Sequence, residues 1–260
     1  MPHSNAHSSE QTILPLQASH DAGLGDLARL GVIVLQTDQT IEHELRSLLA
    51  IDGVAWYHSR IPNAMHVSAE TLAQMATDLP AAAKLLPSDF DFDALAYACT
   101  SGALVIGEDA VAELVQQTHA NKPVTNPLSA CKAAFDALGL QKIGFLTPYS
   151  PEVSQAMRDH LAAAGYNLVT TASFYEDDDF KVGRISPESI HSALKAMVAE
   201  HDLDGIFVAC TSLRVADLIV KAEAELGVAI TSSNHALAWH LLRLAGYKQA
   251  VAGRGALWEV

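Results

Sequence analysis

The chain has 260 residues, half of them hydrophobic, so it can bury a substantial core and form one large domain or two of ordinary size. Its formal net charge of −14, with basic residues that form no patch or stripe, argues against nucleic acid and anionic membrane surfaces as partners. No apolar run approaches the roughly 18 residues of a membrane span. Three cysteines are too few for a disulfide framework, which points to a reducing cytoplasm.

The first 28 residues are predicted to form a mobile tail before the folded part of the chain. From Met1 to about Leu24 this stretch is rich in Ser, His and Ala. It lacks both the basic segment and the apolar segment of a secretory signal, which agrees with a cytoplasmic location.

Short apolar runs alternate with helix-like stretches along the first half of the chain. The run 30–35 is rich in β-branched residues, as is typical of a buried parallel strand. A helix is predicted to begin near Thr40, with Glu42 and Glu44 in its first turn, where the helix dipole favours acidic side chains. Further strands are predicted at 53–58 and 95–99, and further helices from Ser68 and over 108–119.

The second half repeats the same order of elements. Its predicted strands are 142–146, 168–174, 205–210 and 228–231. Its predicted helices run from the turn at 147–151 to about Ala164, from Ser186, up to Leu226 with Gly227 as the cap, and over 234–244. Strands that alternate with helices of this length indicate an α/β fold. We therefore predict two pseudo-symmetric lobes, each a four-stranded, mainly parallel sheet flanked by helices.

Four polar turns mark a candidate site. They lie around Asp38, Cys99, Tyr149 and Cys210, at the predicted carboxyl ends of the first and third strands of each half. Ligands of open α/β sheets bind at such strand ends. The equivalent positions of the turns in the two halves predict one shared site in a cleft between the lobes.

Two of these turns share a sequence, because Ala-Cys-Thr-Ser at 98–101 recurs at 209–212. Each copy follows an apolar run and precedes a helix-like stretch, where backbone N–H groups and the helix dipole lower the pKa of a thiol. If the two thiols face each other across the cleft, one thiolate removes a proton from a substrate carbon while the other thiol delivers one to the opposite face. That arrangement supports racemisation or isomerisation without a cofactor or a metal ion.

The alternative interpretation is that both cysteines are small buried core residues, as free cysteines often are. The repetition argues against it, because core packing does not require Thr-Ser after the thiol. Cys131 lies inside a predicted helix and is interpreted as structural. Thr100, Ser101, Thr211 and Ser212 are either helix caps or ligands of a substrate carboxylate or enolate oxygen, and both roles are compatible.

Several motifs together resemble the aspartate/glutamate racemase superfamily, most closely its branch with maleate cis-trans isomerase and arylmalonate decarboxylase. These motifs are Gly-Val-Ile-Val at 31–34, Thr-x-Glu-x-Glu at 40–44, the two cysteine turns, Thr-Pro-Tyr at 147–149 and Val-Gly-Arg-Ile at 182–185. The resemblance covers the chain from about residue 29 to the last helix. It implies two similar lobes with the last helix returning to the first lobe, so we expect residues 29–122 with 232–260 in one lobe and 123–231 in the other.

The resemblance also bears on the substrate. Decarboxylases of this branch keep only the second thiol, so Cys99 argues against decarboxylation. Maleate isomerases hold the substrate carboxylates with two Asn side chains and a Tyr; Tyr149 matches the Tyr, whereas Asp38 and Asp179 occupy the Asn positions. Two like charges at about 4 Å repel by about 4 kcal/mol at an effective dielectric constant near 20, so these aspartates better suit an ammonium or amidinium group. The signature at 37–42 most resembles the ectoine-utilisation protein of the branch.

The leading hypothesis is a cofactor-independent, two-cysteine racemase or isomerase of a small amino-acid-like carboxylate, in ectoine catabolism by resemblance. The alternatives are a maleate cis-trans isomerase and a bilobal small-molecule binding protein without turnover. We expect a homo-oligomer. Cys99 and Cys210 are the predicted catalytic residues, and the predicted substrate-binding residues are Asp38, Thr100, Ser101, Tyr149, Asp179, Thr211 and Ser212.

Overall fold

The computed structural model describes residues 14–66 and 68–260. Residues 1–13 of the predicted tail lie outside the described residues, so the mobility of the tail stays a prediction. The guanidinium group of Arg29 donates hydrogen bonds to the carbonyl oxygens of Ala22 and Leu24 at 2.6 and 2.9 Å. These bonds tie the end of the described N-terminal segment to the first strand.

The described residues form two separate parallel sheets of four strands each, as predicted. The strands of the first sheet are Ala28–Leu35 (β1), Val54–Ile61 (β2), Ala94–Ala98 (β3) and Val124–Thr125 (β4). The strands of the second sheet are Ile143–Thr147 (β5), Leu168–Ser173 (β6), Gly205–Val208 (β7) and Ala229–Ser232 (β8). The strand orders β2-β1-β3-β4 and β6-β5-β7-β8 are equivalent, which makes the two lobes pseudo-symmetric.

Helices connect the strands and cover the sheets. They are Ile41–Leu48 (α1), Ala69–Ala83 (α2), Thr100–Ile106 (α3), Glu108–Gln116 (α4), Pro127–Leu138 (α5), Pro151–Ala163 (α6), Asp179–Val182 (α7), Pro187–Glu200 (α8), Ala216–Leu226 (α9) and Ser233–Leu244 (α10), followed by a 3-10 helix at Ala256–Glu259. Among the residues that the structure describes, no helix combines the length and the apolar character that a bilayer crossing requires.

Local signals place the predicted helix ends correctly. Ser68 and Thr71 form a capping box at the start of α2, in which each side chain accepts a hydrogen bond from the other residue's backbone N–H. Gly227 ends α9 in the left-handed conformation, with φ of +71°. Both helix ends therefore follow from residues adjacent in the sequence.

The buried strand β1 lies between two hydrophobic cores. Ile33 and Leu35 face one core, whereas Leu30, Val32 and Val34 face the other, because successive side chains of a strand point to opposite faces. Both faces of the strand are covered, which explains its continuous apolar sequence.

The division of the chain between the sheets differs from the predicted one at one point. Val124 of β4 pairs with Leu95 of β3, so the first sheet extends past residue 122, where the first segment of the first lobe was expected to end. Later in the chain, α10 packs against α1, β1 and β3, and also against α5, which lies in the segment expected to form the second lobe. Residues at the start of α10 therefore lie where the two lobes meet. The lobe boundaries themselves stay a prediction.

Candidate active site

The carboxyl ends of the two sheets face one shared cleft. Among the residues predicted for the site, those that line it are Cys99, Thr100, Ser101, Tyr149, Asp179, Cys210 and Thr211. Cys131 lies in α5 outside this lining, fully buried, with its thiol donating to the carbonyl oxygen of Leu128. The structure thus places Cys99 and Cys210 in one cleft and Cys131 elsewhere. We expect a separation of roughly 7–8 Å between the sulfur atoms of Cys99 and Cys210, because a substrate carbon between them must lie within proton-transfer distance of both.

The first cysteine turn leads directly from a strand into a helix. Cys99 follows β3 and caps α3, and its sulfur accepts a hydrogen bond from the backbone N–H of Gly102 at 3.2 Å. A Cβ atom at residue 102 would lie 2.9 Å from this sulfur, too close for a carbon–sulfur contact. The glycine is therefore required for the close approach of the helix N-terminus to the thiol.

The second cysteine turn differs from the first. Cys210 follows β7, but α9 begins only at Ala216, so the prediction that a helix starts directly behind this thiol is wrong. Cys210 has φ of +107°, a conformation that is unfavourable for a residue with a side chain. Backbone strain of this kind persists only where surrounding contacts enforce it, and it is concentrated at functional sites.

The prediction of lowered thiol pKa values is also wrong. Burial raises the pKa of Cys99 to about 11, although the Gly102 N–H and the Ser101 hydroxyl act in the opposite direction. Burial raises the pKa of Cys210 as well, and the charge of Asp179 adds to the increase at both thiols. The helix N-terminus stabilises a thiolate at Cys99, but the loss of solvent around the sulfur outweighs this effect.

Tyr149 lines the cleft together with residues of both cysteine turns, among them Ser101 and Cys210. Its side chain is 4% exposed. Burial, together with the nearby thiols, raises the pKa of Tyr149 well above its usual value. The phenol therefore stays protonated and can donate a hydrogen bond to a substrate oxygen.

The two predicted aspartates are buried close to each other. Asp179 lines the cleft and accepts hydrogen bonds from the hydroxyl groups of Thr37 and Ser212. Asp38 lies outside the cleft lining; its Oδ1 accepts the backbone N–H groups of Thr40 and Ile41 at 2.8 and 2.9 Å. Its other oxygen, Oδ2, is buried and has no hydrogen-bond partner among the described residues.

Two of the residues predicted to bind substrate lie outside the cleft lining. The hydroxyl of Ser212 binds Asp179 at 3.0 Å, and Ser212 is not part of the cleft lining, so it supports the carboxylate instead of facing a ligand. Asp38 is also outside the cleft lining, and its Oδ1 binds the backbone at the start of α1, so its predicted contact with substrate stays a prediction. Burial raises the pKa of Asp38 to about 6, and the charge of Asp179 contributes. The pair thus forms a negatively charged end of the site.

Glu44 is a residue whose place the sequence analysis did not predict. It is 4% exposed, and its Oε1 accepts the backbone N–H groups of Val215 and Ala216 at 2.6 and 2.8 Å, while Oε2 accepts the amide of Asn234 at 2.8 Å. A first-turn carboxylate of α1 thus caps α9 of the other lobe. The sequence does contain a sign of this burial. Glu44 is three residues after the buried Ile41, so both side chains lie on the same face of α1.

The lining also includes residues that the sequence did not single out. Leu35 ends β1, and the others lie between the end of β2 and the first half of α2: Asn63, Ala64, His66, Thr71, Leu72 and Met75. Strand β2 ends at Ile61, three residues beyond the predicted end, so the polar residue that follows its carboxyl end is Asn63. The side chain of Asn63 accepts the N–H of Thr37 at 3.1 Å and donates to its hydroxyl at 2.8 Å. This contact joins the ends of β1 and β2.

Two buried carboxylates with raised pKa values should make the protein less stable as the pH rises. Burial raises the pKa of Glu44 to about 7 and that of Asp38 to about 6, from usual values of 4.5 and 3.8. A folded-state pKa above the unfolded value means that stability is fully present below the unfolded pKa and is lost as the pH rises through the folded value. Each shift corresponds to about 3 kcal/mol, so urea unfolding should give a free energy lower by a few kcal/mol at about pH 8 than at about pH 5.

A matched pair of variants isolates the contribution of Glu44. Glu44→Gln should flatten the decline, because the variant no longer has a buried group to ionise. The same change at exposed Glu113 should leave the pH profile unchanged. A profile that rises from about pH 5 to about pH 8, or an equal effect of both variants, would contradict the assignment.

Comparisons with known proteins agree with this geometry. A scan against protein-family models matches the arylmalonate decarboxylase family over residues 63–258. The maleate isomerase of Geobacillus stearothermophilus is 25% identical over 242 residues, which cover 88% of this chain and 96% of the relative. The maleate isomerase of Nocardia farcinica is 26% identical over 241 residues, which cover 89% and 95%.

Solved structures show the same fold. The structure of a cysteine-to-serine mutant of the Nocardia farcinica maleate cis-trans isomerase, with a covalently bound succinylcysteine intermediate, superposes with a TM-score of 0.81 at 25% identity and covers 89% of this chain and 98% of that one. The unliganded arylmalonate decarboxylase superposes with a TM-score of 0.72 at 22% identity, with 89% and 99% covered. With a family match over most of its length, and as the resemblance of its cysteine turns predicted, the chain belongs to the arylmalonate decarboxylase family.

Proposed function

We propose that this chain is a cofactor-independent cis-trans isomerase of a small unsaturated carboxylic acid, with Cys99 and Cys210 as its reacting groups. The isomerase class predicted from the sequence is confirmed by relatives that are maleate isomerases along most of the chain. The observation that carries the proposal is that two cysteine turns, one from each sheet, face one cleft together with Tyr149. The alternative from the sequence analysis thus has more support than its leading racemase hypothesis.

The first step forms a bond between the sulfur of Cys99 and one carbon of the substrate double bond. The thiolate supplies the electron pair of the new bond, and the π electrons move to the adjacent carbon and its carboxylate, as in an enolate. The former double bond is now single and can rotate. After rotation, the electron pair returns and expels the thiolate, which leaves the trans product and the free Cys99.

The second thiol and the phenol support this sequence. Cys210 can donate its proton to the carbon that carries the negative charge, which gives a saturated thioether, and can remove the proton again before the thiolate leaves. Tyr149 and the hydroxyl groups of Thr100 and Ser101 can donate hydrogen bonds to the carboxylate oxygens, where the charge develops. Because burial keeps Cys99 protonated, the proposal requires substrate binding to assist its deprotonation.

A second candidate is suggested by the charge of the cleft. No Lys or Arg is among the described lining residues, and Asp179 with nearby Asp38 makes one end negative. A cationic substrate group at this end would neutralise the aspartates and favour the thiolates, whereas a second carboxylate would be repelled. This observation favours racemisation of an amino-acid-like carboxylate, in agreement with the resemblance to the ectoine-utilisation protein, whose substrate would carry carboxylate and nitrogen groups.

Incubation in heavy water with maleate and with diaminobutyrate derivatives separates the candidates. Fumarate formed from maleate would identify the cis-trans isomerase, and we expect this turnover to be slow because the aspartates disfavour a second carboxylate. Deuterium at the α-carbon of an amino acid would instead indicate the racemase. Tight binding of these compounds without conversion or exchange would favour the third possibility, a binding protein.

A further inference from the structure

Ser233 is a fully buried hydroxyl between the two cysteine turns. It is the first residue of α10, where the chain leaves the second sheet for the helix that packs on the first. Its Oγ accepts the backbone N–H of Cys210 at 3.0 Å and lies 2.8 Å from Oγ1 of Thr100, the residue after Cys99. One side chain thus contacts both turns.

The direction of these hydrogen bonds follows from the available partners. Ser233 already accepts from Cys210, and among the described residues the only acceptor for its own proton is Oγ1 of Thr100. Either hydroxyl can be the donor in this pair. Donation by Ser233 leaves the unpaired proton on Thr100, which lines the cleft, where a substrate oxygen can accept it, so this direction is the favourable one. The proton of Thr100 then has no acceptor among the described residues, and Thr100 lines the cleft.

The same side of the molecule holds the rest of the second turn. The amide of Asn234 donates to the backbone carbonyl oxygen of Thr211 at 2.8 Å. The hydroxyl of Thr40 donates to the backbone carbonyl oxygen of Ser212 at 2.7 Å. Neither contact reaches Cys210 itself. The strained backbone of Cys210 therefore depends on Ser233 for its N–H.

We infer that Ser233 is a positioning residue that holds Cys210 in its strained conformation and orients the Thr100 hydroxyl as a donor to a substrate oxygen. The inference deepens the proposed function and rests on it for the substrate part. A donor aimed into the cleft suits a carboxylate or carbonyl oxygen and not a cationic group. The carboxylate end of the substrate should therefore bind at the cysteine turns, away from the aspartates.

A neighbouring serine provides a matched control for the test. Ser232 is also buried and accepts the N–H of His235 as the N-cap of α10, but among the described residues its hydroxyl makes no hydrogen bond to either cysteine turn. Ser233→Ala should lower kcat/KM on the order of 10²-fold, mainly through kcat, because a small misplacement of a reacting group has such an effect. Ser232→Ala should lower the melting temperature at least as much, because it removes a cap, but should keep kcat/KM within a few-fold of the native value.

Coupling to Thr100 gives a second measurement. If Ser233 acts partly through Thr100, Ser233→Ala should lower kcat/KM less in a Thr100→Val background than in the native protein. Ser233→Thr, which keeps the hydroxyl, should restore activity. Equal activities of the Ser233→Ala and Ser232→Ala variants would overturn the inference.

A readout without substrate keeps the inference separate from the proposed function. Alkylation by iodoacetamide, followed by mass spectrometry of peptides, gives the rates at Cys210 and Cys99 separately. Ser233→Ala should change the ratio of the two rates several-fold, and Ser232→Ala should not. If no acid tested is isomerised, the proposed function fails while this ratio still tests the positioning role. An unchanged ratio would refute that role.

Discussion

Replacing either cleft cysteine by serine is expected to lower kcat/KM for cis-trans isomerisation on the order of 10³-fold or more. In the proposed mechanism, Cys99 forms the bond to the substrate and Cys210 transfers the proton. A serine hydroxyl is a far weaker nucleophile and acid at neutral pH. Cys131→Ala is the control, because Cys131 lies in α5 outside the cleft lining. It should lower stability and leave kcat/KM near the native value.

The Cys210→Ser variant should also accumulate an intermediate. In this variant the carbanion of the adduct takes its proton slowly from water, and no thiolate at position 210 is present to remove that proton again. The saturated adduct on Cys99 should therefore persist, and intact-protein mass spectrometry should show one added substrate molecule. The related Nocardia farcinica mutant carries a succinylcysteine of this kind. Peptide mapping should locate the adduct on Cys99. An adduct on Cys131, or undiminished turnover in this variant, would contradict the assigned roles.

Conversion of Asp38 and Asp179 to Asn should change the charge preference of the site. In the native protein, a second substrate carboxylate at about 4 Å from one of these groups would be repelled by about 4 kcal/mol. Asp38 lies outside the cleft lining, so its distance from the substrate is larger and its repulsion is weaker. The double variant should therefore bind dicarboxylates at least roughly tenfold more tightly and lose affinity for substrates with a cationic group.

The same variant has an effect that does not depend on the substrate. Because the charge of Asp179 raises the pKa of both thiols, its removal should shift the pH dependence of alkylation at Cys99 and Cys210 to lower pH. Asp89→Asn, at an exposed position, controls for the change in net charge. Fast turnover of maleate by the native protein, or no gain in dicarboxylate binding by the variant, would show that the aspartates do not select against a second carboxylate.

Most of the fold could be predicted from local sequence patterns, and the same patterns single out Cys99 and Cys210 as the proposed reacting groups. The buried run of β1, the Ser68 cap of α2 and the repeated cysteine turns each depend on neighbouring residues, so hydrophobic periodicity and turn chemistry predict them. Because the carboxyl ends of parallel strands meet at one edge of a sheet, the order of elements was also enough to bring Cys99 and Cys210 to one cleft.

The hydrogen bonds that hold these groups in place, and the pKa values of the thiols, depend on contacts between segments that are far apart in the chain. Glu44 binds the start of α9, and Ser233 joins Cys210 to Thr100, across separations in the chain that no local pattern reveals. The raised pKa values of the thiols depend on how much water the surrounding segments exclude. Local sequence places a thiol at a strand end, but desolvation is set by every segment packed around it, and that packing exists only in the folded chain.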